Sequence, residues 1–274
     1  MKKGQITILI IISVIIVAAV LSTAFVITQN KKAELSKKFF SQLNIKPDLD
    51  SIKYEIIECS KETSLNAIDK IGIQGGYYKK HNKYLDFKSF FIPYYYYENN
   101  YYQTNQLTTE RELSYYIDEN LEKCLEKIDY SDYRISYKIP RTETRIENKQ
   151  ISFKINQEFK IERENNFITF KLSDYPQKIP SELKAIIILA DYITESHKQD
   201  PAMYCVSCLS DIAEKDNLFV DILNFRENEM LVIISENHTS SEIYSFEFLN
   251  KYKGNERSPL TEFVETIPNS PDKE

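Results

Sequence analysis

The sequence predicts an α+β domain that follows one amino-terminal transmembrane helix. Three observations lead to this prediction: an uncharged apolar run at residues 6–27, amphipathic helical spacing at 49–128 and 181–215, and alternating apolar residues at 133–172 and 218–249. Helical spacing gives each helix one apolar face to bury, whereas alternation is typical of strands with one face toward the core. We therefore expect antiparallel strands packed with amphipathic helices in an extracytoplasmic domain.

The apolar run at residues 6–27 has four polar members, Thr7, Ser13, Ser22 and Thr23, and no charged one. At about 1.5 Å per helical residue it extends about 33 Å, which matches a hydrocarbon core of about 30 Å. A cleaved secretory signal has an apolar core of about 7–15 residues, and no A-x-A-like cleavage site follows this run. The run therefore predicts a permanent span, with the lipid bilayer as a partner.

The residues just before the run, KGQIT at 3–7, resemble a processing signal. They are similar to the class III, type IV pilin-like signal sequences of archaea, which have a basic head, a Gly–Gln junction and an uninterrupted apolar helix. The resemblance implies processing by a prepilin peptidase between Gly4 and Gln5. In that family a glutamate at the fifth position after the cut helps subunits to assemble, and this sequence has Leu9 there. The departure favours a membrane anchor over a filament subunit.

Two kinds of feature bear on the orientation of the span: the lysines on either side of it, and the cysteines and glycosylation sequon of the domain. More lysines follow the span than precede it, so the positive-inside rule, counted strictly, places the long part in the cytoplasm. Against this, the amino tail is short and basic, as in a signal anchor, and the four cysteines can pair. Asn237 also begins a glycosylation sequon, Asn-His-Thr. We therefore expect a single-pass protein of the cell membrane with an extracytoplasmic carboxy-terminal domain.

The sequence predicts four consecutive segments. They are an amino-terminal tail and transmembrane helix at 1–28, a juxtamembrane connector at 29–48, a globular domain at 49–252 and a flexible tail at 253–274. Within the globular domain, helices are predicted at 49–128 and 181–215, and strands at 133–172 and 218–249.

Start and stop signals define the predicted helices. The first begins near Asp48 and stops at Gly72, before a turn with the sequence GIQGGYYKK. A capping box of the S/T-x-x-E type at Thr109 opens the second. The third begins after Ser181, and Pro201 restarts a short helix that carries the last two cysteines.

Alternation defines the predicted strands. Residues 133–172 are expected to form an antiparallel meander with a hairpin at ERENN, 162–166. Three further strands are expected at 218–225, 229–235 and 243–249. The run LVII at 231–234 is typical of a central strand that is covered on both faces.

The four cysteines fall into two groups. Cys59 and Cys124 lie on the apolar faces of two predicted helices, either as buried thiols or as a disulfide between the helices. Four cysteines allow three pairings, and closeness in sequence favours 59–124 with 205–208. Cys205 and Cys208 form a CxxC, but no strand precedes it and no second ligand pair accompanies it. A local disulfide or inert thiols are therefore favoured over redox activity or a zinc site.

A tyrosine-rich segment follows Pro93 and contains six tyrosines: Tyr94, Tyr95, Tyr96, Tyr97, Tyr101 and Tyr102. One interpretation is a strand or loop whose alternate rings cover the core. The other is an exposed aromatic contact surface at an edge, because tyrosine combines a large contact area with a polar tip.

The body of the chain also resembles uncharacterised single-pass membrane proteins of archaea. The likeness rests on a helix that carries Cys59 and ends in IGIQGGYY, on the helix ELSYYIDENLEKCLEKI and on the late segment IYSFEFLNKY. It implies no known activity, catalytic residue or cofactor.

The sequence therefore predicts a function in surface interaction or cell-envelope structure, with other envelope proteins or glycans as partners. A formal net charge of −6 argues against nucleic acid as a partner. No motif predicts a catalytic residue, a cofactor or a metal. Two alternatives remain: a pilin-like filament subunit, and a membrane-tethered thiol redox enzyme.

Overall fold

The computed structural model describes residues 49–128, 131–199, 206–236 and 244–252, which have an α+β architecture. The chain divides into two compact units, Met1–Ile52 and Lys53–Glu274, and the first contributes only residues 49–52 to these ranges. Within the described ranges, no helix is long and apolar enough to cross a membrane. The predicted span at 6–27, the junction of Gly4 and Gln5, and the predicted tail at 253–274 lie outside them.

Four α-helices occur in the described residues: α1 (Leu49–Ile73), α2 (Gln106–Leu125), α3 (Leu183–Gln199) and α4 (Val206–Lys215). The helical spacing of apolar residues correctly predicted the first three. Helix α1 ends in a turn where Gly75 and Gly76 have φ angles of +51° and +84°. A Cβ on Gly75 would lie 2.6 Å from the backbone oxygen of Glu247. This turn therefore requires glycine both for its backbone angles and for the close approach of the chain.

The start of α2 corrects the prediction from the capping box. The helix does not begin at Thr109 but at Gln106, and Asn105 is its N-cap. The side-chain oxygen of Asn105 accepts a hydrogen bond from the amide of Thr108 at 2.9 Å. Thr109 is buried instead, with its hydroxyl 3.2 Å from that of Thr104. Because Asn is at least as good an N-cap as Thr, the earlier residue starts the helix.

One large sheet joins the middle and the end of the chain. It contains β1 (Tyr84–Asp86), β2 (Phe91–Tyr97), β3 (Asn100–Tyr101), β10 (Leu218–Arg226), β11 (Glu229–Glu236) and β12 (Ser245–Lys251). The strand order is β1-β2-β12-β11-β10, with β3 paired to β2, and β2 and β12 are parallel. Leu231 and Ile233 of β11 are only half-buried, so this central strand is fully covered on one face rather than on both.

Two three-stranded antiparallel sheets occur where the sequence predicted one meander. One contains β4 (Arg134–Tyr137), β7 (Glu158–Arg163) and β8 (Asn166–Lys171), and the other contains β5 (Thr142–Glu147), β6 (Gln150–Ile155) and β9 (Gln177–Pro180). A 3-10 helix, Leu172–Asp174, follows β8. The chain passes between the two sheets three times, at residues 138–141, 156–157 and 172–176. Alternation identified these strands, but it carries no information on which strands pair.

Aromatic side chains of the large sheet connect it to the end of α1. The ring of Tyr95 stacks on that of Phe248 with 4.2 Å between centroids, and Phe246 meets Tyr95 edge-on at 6.3 Å. The Tyr95 hydroxyl donates a hydrogen bond to the carbonyl of Gly75 at 2.9 Å. Helix α2 packs on β5, α3 contacts β5 and β11, and α4 packs on β10. The helices therefore cover the buried faces of these strands.

A disulfide joins α1 to α2, as the cysteine spacing predicted. Cys59 and Cys124 are bonded, their Cα atoms are 5.7 Å apart, and both side chains are buried. The bond closes a loop with a sequence separation of 65 residues. Such a link stabilises the fold mainly by removing conformations from the unfolded chain.

Replacing both cysteines, Cys59→Ala with Cys124→Ala, should lower the free energy of unfolding by about 4 kcal/mol, as loop-closure entropy for this separation indicates. Urea unfolding of the oxidised proteins, followed by circular dichroism, measures the change. The control is Cys205→Ala with Cys208→Ala, since a local bond between those two would close a much shorter loop and stabilise less. Equal losses in the two double variants would contradict the prediction.

Candidate functional site

The structure places the six predicted contact tyrosines in two groups. Tyr94, Tyr95 and Tyr96 are buried, so the expectation of an exposed surface is wrong for these three. The physical reason is that β2 is not an edge strand, because it pairs with β1 on one side and with β12 on the other. Tyr97, Tyr101 and Tyr102 are half-buried, and for them a contact function stays a prediction.

The candidate site is a group of charged and aromatic residues at one end of the large sheet. We define the Glu229 cluster as Tyr94, Tyr97, Lys83, Glu229 and Lys251. Glu229 opens β11 and stands directly opposite Lys251 in the antiparallel register of β11 and β12. The parallel partner of β12 is β2, which contributes both tyrosines. Three strands from distant parts of the chain therefore build the cluster.

Glu229 is the buried charge of the cluster, with 6% of its side chain exposed. The ammonium of Lys251 lies 3.2 Å from Glu229 Oε1, and this hydrogen bond raises the pKa of Lys251. Burial, followed by the negative charge of Glu229 and a hydrogen bond to it, raises the pKa of Tyr94. The ammonium of Lys251 and the phenol of Tyr94 therefore offset the hydration that the carboxylate loses on burial.

The second oxygen of Glu229 is less well satisfied. Oε2 is buried and has no hydrogen-bond partner among the described residues. The Nη1 atom of Arg226, whose side chain is mostly exposed, lies 4.0 Å from it.

Tyr97 lies on the side of the Glu229 cluster that is half-exposed to solvent. The Nζ atoms of Lys83 and Lys251 lie 4.8 Å and 5.2 Å from its ring centroid, within the range of cation–π attraction. The ring of Tyr94 meets that of Tyr97 edge-on at 5.1 Å. Glu98, on the exposed turn after β2, is 3.8 Å from Lys251. A half-exposed ring between two ammonium groups can bind polar or acidic groups of a partner.

Sequence reasoning found the tyrosines of this cluster but missed Glu229, Lys83 and Lys251. One signal was visible: Glu229 begins a strand whose next residues are apolar, and a charge there needs a partner when the strand is central. The identity of that partner depends on strand register, which alternation alone does not give.

The other predicted residues have different positions. Cys208 is disulfide-bonded, whereas Cys205 and Asn237 lie outside the described residues, so the proposed pairing of 205 with 208 stays a prediction. His81 is exposed and stacks on Tyr77 with 4.8 Å between ring centroids. In the part of the chain that the structure describes, no three His, Cys, Asp or Glu side chains group as a metal site would require.

A second titratable group lies on α3. Burial, and then the charge of Glu195 one turn later, raise the pKa of Asp191 to about 6. Asp191 Oδ1 is buried and accepts no hydrogen bond from the described residues. The amide of Gln103 donates to Glu195 at 3.2 Å, and the raised pKa of the buried Tyr95 also reflects the charge of Asp191. Asp191 therefore titrates near neutral pH.

No protein-family model, curated protein or solved structure matches the chain. Any functional proposal therefore rests on the sequence and on the geometry of the site.

Glu229→Gln should lower the free energy of unfolding by about 1–3 kcal/mol, because it leaves the largely buried Lys251 without its close carboxylate. The matched control is Glu98→Gln, which removes the more exposed partner of the same lysine and should change stability by less than about 0.5 kcal/mol. Chemical denaturation at pH 7 measures both. Equal effects of the two variants would show that Glu229 is not the charge that holds Lys251.

Asp191→Asn should stabilise the protein at pH 7 but not at pH 4. A folded-state pKa of about 6 is above the ordinary value of 3.8, so the folded protein binds this proton more tightly than the unfolded chain. Protonated Asp191 thus stabilises the folded protein fully below about pH 4, and this stabilisation is lost as the pH rises through about 6. Because Asp191 is only half-buried, the expected gain at pH 7 is about 1 kcal/mol.

Thermal unfolding between pH 4 and pH 7 measures this difference. The control is Asp221→Asn on β10, where the side chain is exposed. A stability difference between Asp191→Asn and the parent protein that does not change with pH would contradict the assignment.

Proposed function

We propose that the chain is a single-pass membrane protein whose α+β domain lies outside the cytoplasm and binds a component of the cell envelope. The observation that carries this proposal is the buried disulfide between Cys59 and Cys124. Structural disulfides persist in oxidising compartments and are rare in the cytosol. Cys208 is also bonded, which is consistent with an oxidising environment.

The apolar run at residues 6–27 supports the anchor in this proposal. Its length suits a span, and the resemblance of residues 3–7 to archaeal pilin-like signals supports export. Leu9, in place of the glutamate that assists filament assembly, favours an anchor over a filament.

The Glu229 cluster supports a binding role for the domain. It presents a half-exposed ring and two ammonium groups at one end of the large sheet. These groups can hydrogen-bond to and attract the polar or acidic surface of another envelope protein. The cluster offers no activated nucleophile, which is why binding is favoured over hydrolysis.

Protease shaving tests the topology. When intact cells that produce the full chain are treated with an external protease, the domain should be digested, whereas a cytoplasmic reporter in the same cells should remain whole. A variant that lacks residues 1–28 is the matched control, and it should be protected. Protection of the full chain to the same degree as the reporter would contradict the proposal.

The same cells provide a second readout. Alkylation of the denatured protein without a reductant should leave Cys59 and Cys124 unlabelled, and both should become labelled after reduction. Mass spectrometry of the mature amino terminus tests the alternative of a pilin-like filament subunit. An intact Met1 or Lys2 excludes cleavage between Gly4 and Gln5.

A further inference from the structure

A polar cleft lies where the chain passes between the two small sheets. Three connections line it: residues 138–141 between β4 and β5, residues 156–157 between β6 and β7, and residues 171–173 at the end of β8. Its volume is about 740 Å³, which is in the range of sites for small organic ligands. None of its lining residues belongs to the Glu229 cluster, so the cleft is a separate feature of the fold.

Gln157 is a buried polar residue in the wall of the cleft. Its side chain is 3% exposed, and its Nε2 donates to the carbonyl of Lys138 at 2.7 Å. Its backbone carbonyl accepts from the amide of Leu172 at 2.9 Å. The bond from Nε2 orients the side-chain amide and the bond to the carbonyl holds the backbone, yet the buried Oε1 has no hydrogen-bond partner among the described residues. An unpaired buried acceptor favours a ligand that brings a donor, such as a hydroxyl group.

The charges around the cleft favour an anionic ligand. Lys138, Arg141 and Lys171 line it, against the single carboxylate of Glu158. Arg141 also acts on Asp118, since its charge counters part of the burial that raises the pKa of Asp118. This local excess of positive charge contrasts with the whole chain, whose formal net charge is −6. A carboxylate-bearing ligand would find two lysines and one arginine within one cleft.

The cleft also has an apolar rim. Ile139 is 85% exposed, and Tyr137 is 37% exposed with its ring centroid 5.3 Å from that of Phe159. Exposed side chains with flat or apolar surfaces, beside hydrogen-bonding groups, match the alternating apolar and hydroxyl surfaces of a sugar ring. Three cations in a confined cleft are too few for the extended phosphate contacts that nucleic acids require.

We propose that this cleft binds an acidic carbohydrate, with Lys138 and Lys171 pairing with a sugar carboxylate and Gln157 accepting a hydrogen bond from a sugar hydroxyl. The ligand class is a short chain of uronic acids. The inference does not depend on the membrane topology proposed above, because binding to the purified protein measures it directly.

The experiment uses the full chain purified in detergent and titrated by calorimetry with trigalacturonate. We expect saturable binding that weakens by about tenfold between 50 and 300 mM NaCl, because exposed charge pairs are screened by salt. Lys138→Ala and Lys171→Ala should each weaken binding by about fivefold, and Gln157→Leu by about tenfold. The matched control Lys154→Ala, at an exposed position on β6 outside the cleft, should leave the affinity unchanged.

Comparison ligands make the proposal falsifiable. Maltotriose, the neutral counterpart, should bind at least tenfold more weakly, and inorganic phosphate should not displace trigalacturonate at equal concentration. Equal binding of the neutral sugar, displacement by phosphate alone, or an equal loss in Lys154→Ala would overturn the proposal. Absence of trigalacturonate binding in the folded parent protein would also overturn it, and circular dichroism of each variant confirms that the fold is retained.

Discussion

The parallel pairing of β2 with β12 determines how the large sheet is assembled. It joins two parts of the chain that are more than 150 residues apart, and a side chain strengthens it: Asn250 Oδ1 accepts a hydrogen bond from the backbone amide of Tyr96 at 3.1 Å across a sequence separation of 154. The pairing shifts register between Leu249 and Asn250, where the side chain takes the place of a backbone acceptor. Without this contact the tyrosine strand would be an edge strand, and Tyr95 would have no Phe248 on which to stack.

The Glu229 cluster follows from the same pairing. Once β2 lies beside β12, Tyr97 comes opposite Lys251 and Tyr94 opposite Leu249. The antiparallel β11 brings Glu229 opposite the same lysine. Glu229 tolerates burial because a cation and a phenol offset the loss of its hydration. The same arrangement leaves Tyr97 half-open between two ammonium groups. The fold and the proposed binding surface therefore depend on one set of contacts, so a change at Glu229 would affect both.

Helices and individual strands could be predicted from the sequence, whereas strand pairing could not. Helical spacing around Cys59 and Cys124 placed both thiols on buried faces, and their disulfide follows from those faces meeting. The tyrosine strand was misjudged because Pro93 suggested an edge, although Pro93 stands opposite Tyr84 within the ladder of β1 and β2. Register and partner choice depend on contacts between distant residues, and a single sequence shows local periodicity only. For the same reason the sequence did not identify the partner of Glu229, and the cleft around Gln157 had no sequence signal of its own.

The cleft has a different physical origin from the Glu229 cluster. It lies where three connections between the small sheets meet the ends of β4, β7 and β8. Connections can change residues without disturbing a ladder of backbone hydrogen bonds, so their charges are less constrained by folding. Three cations accumulate there in a chain whose net charge is −6. Gln157 is the exception, since its buried side-chain amide donates to the carbonyl of Lys138 and its backbone carbonyl accepts from the amide of Leu172. In the binding proposed for the cleft, this fixed amide orients the ligand, and the exposed charged side chains around it attract the ligand.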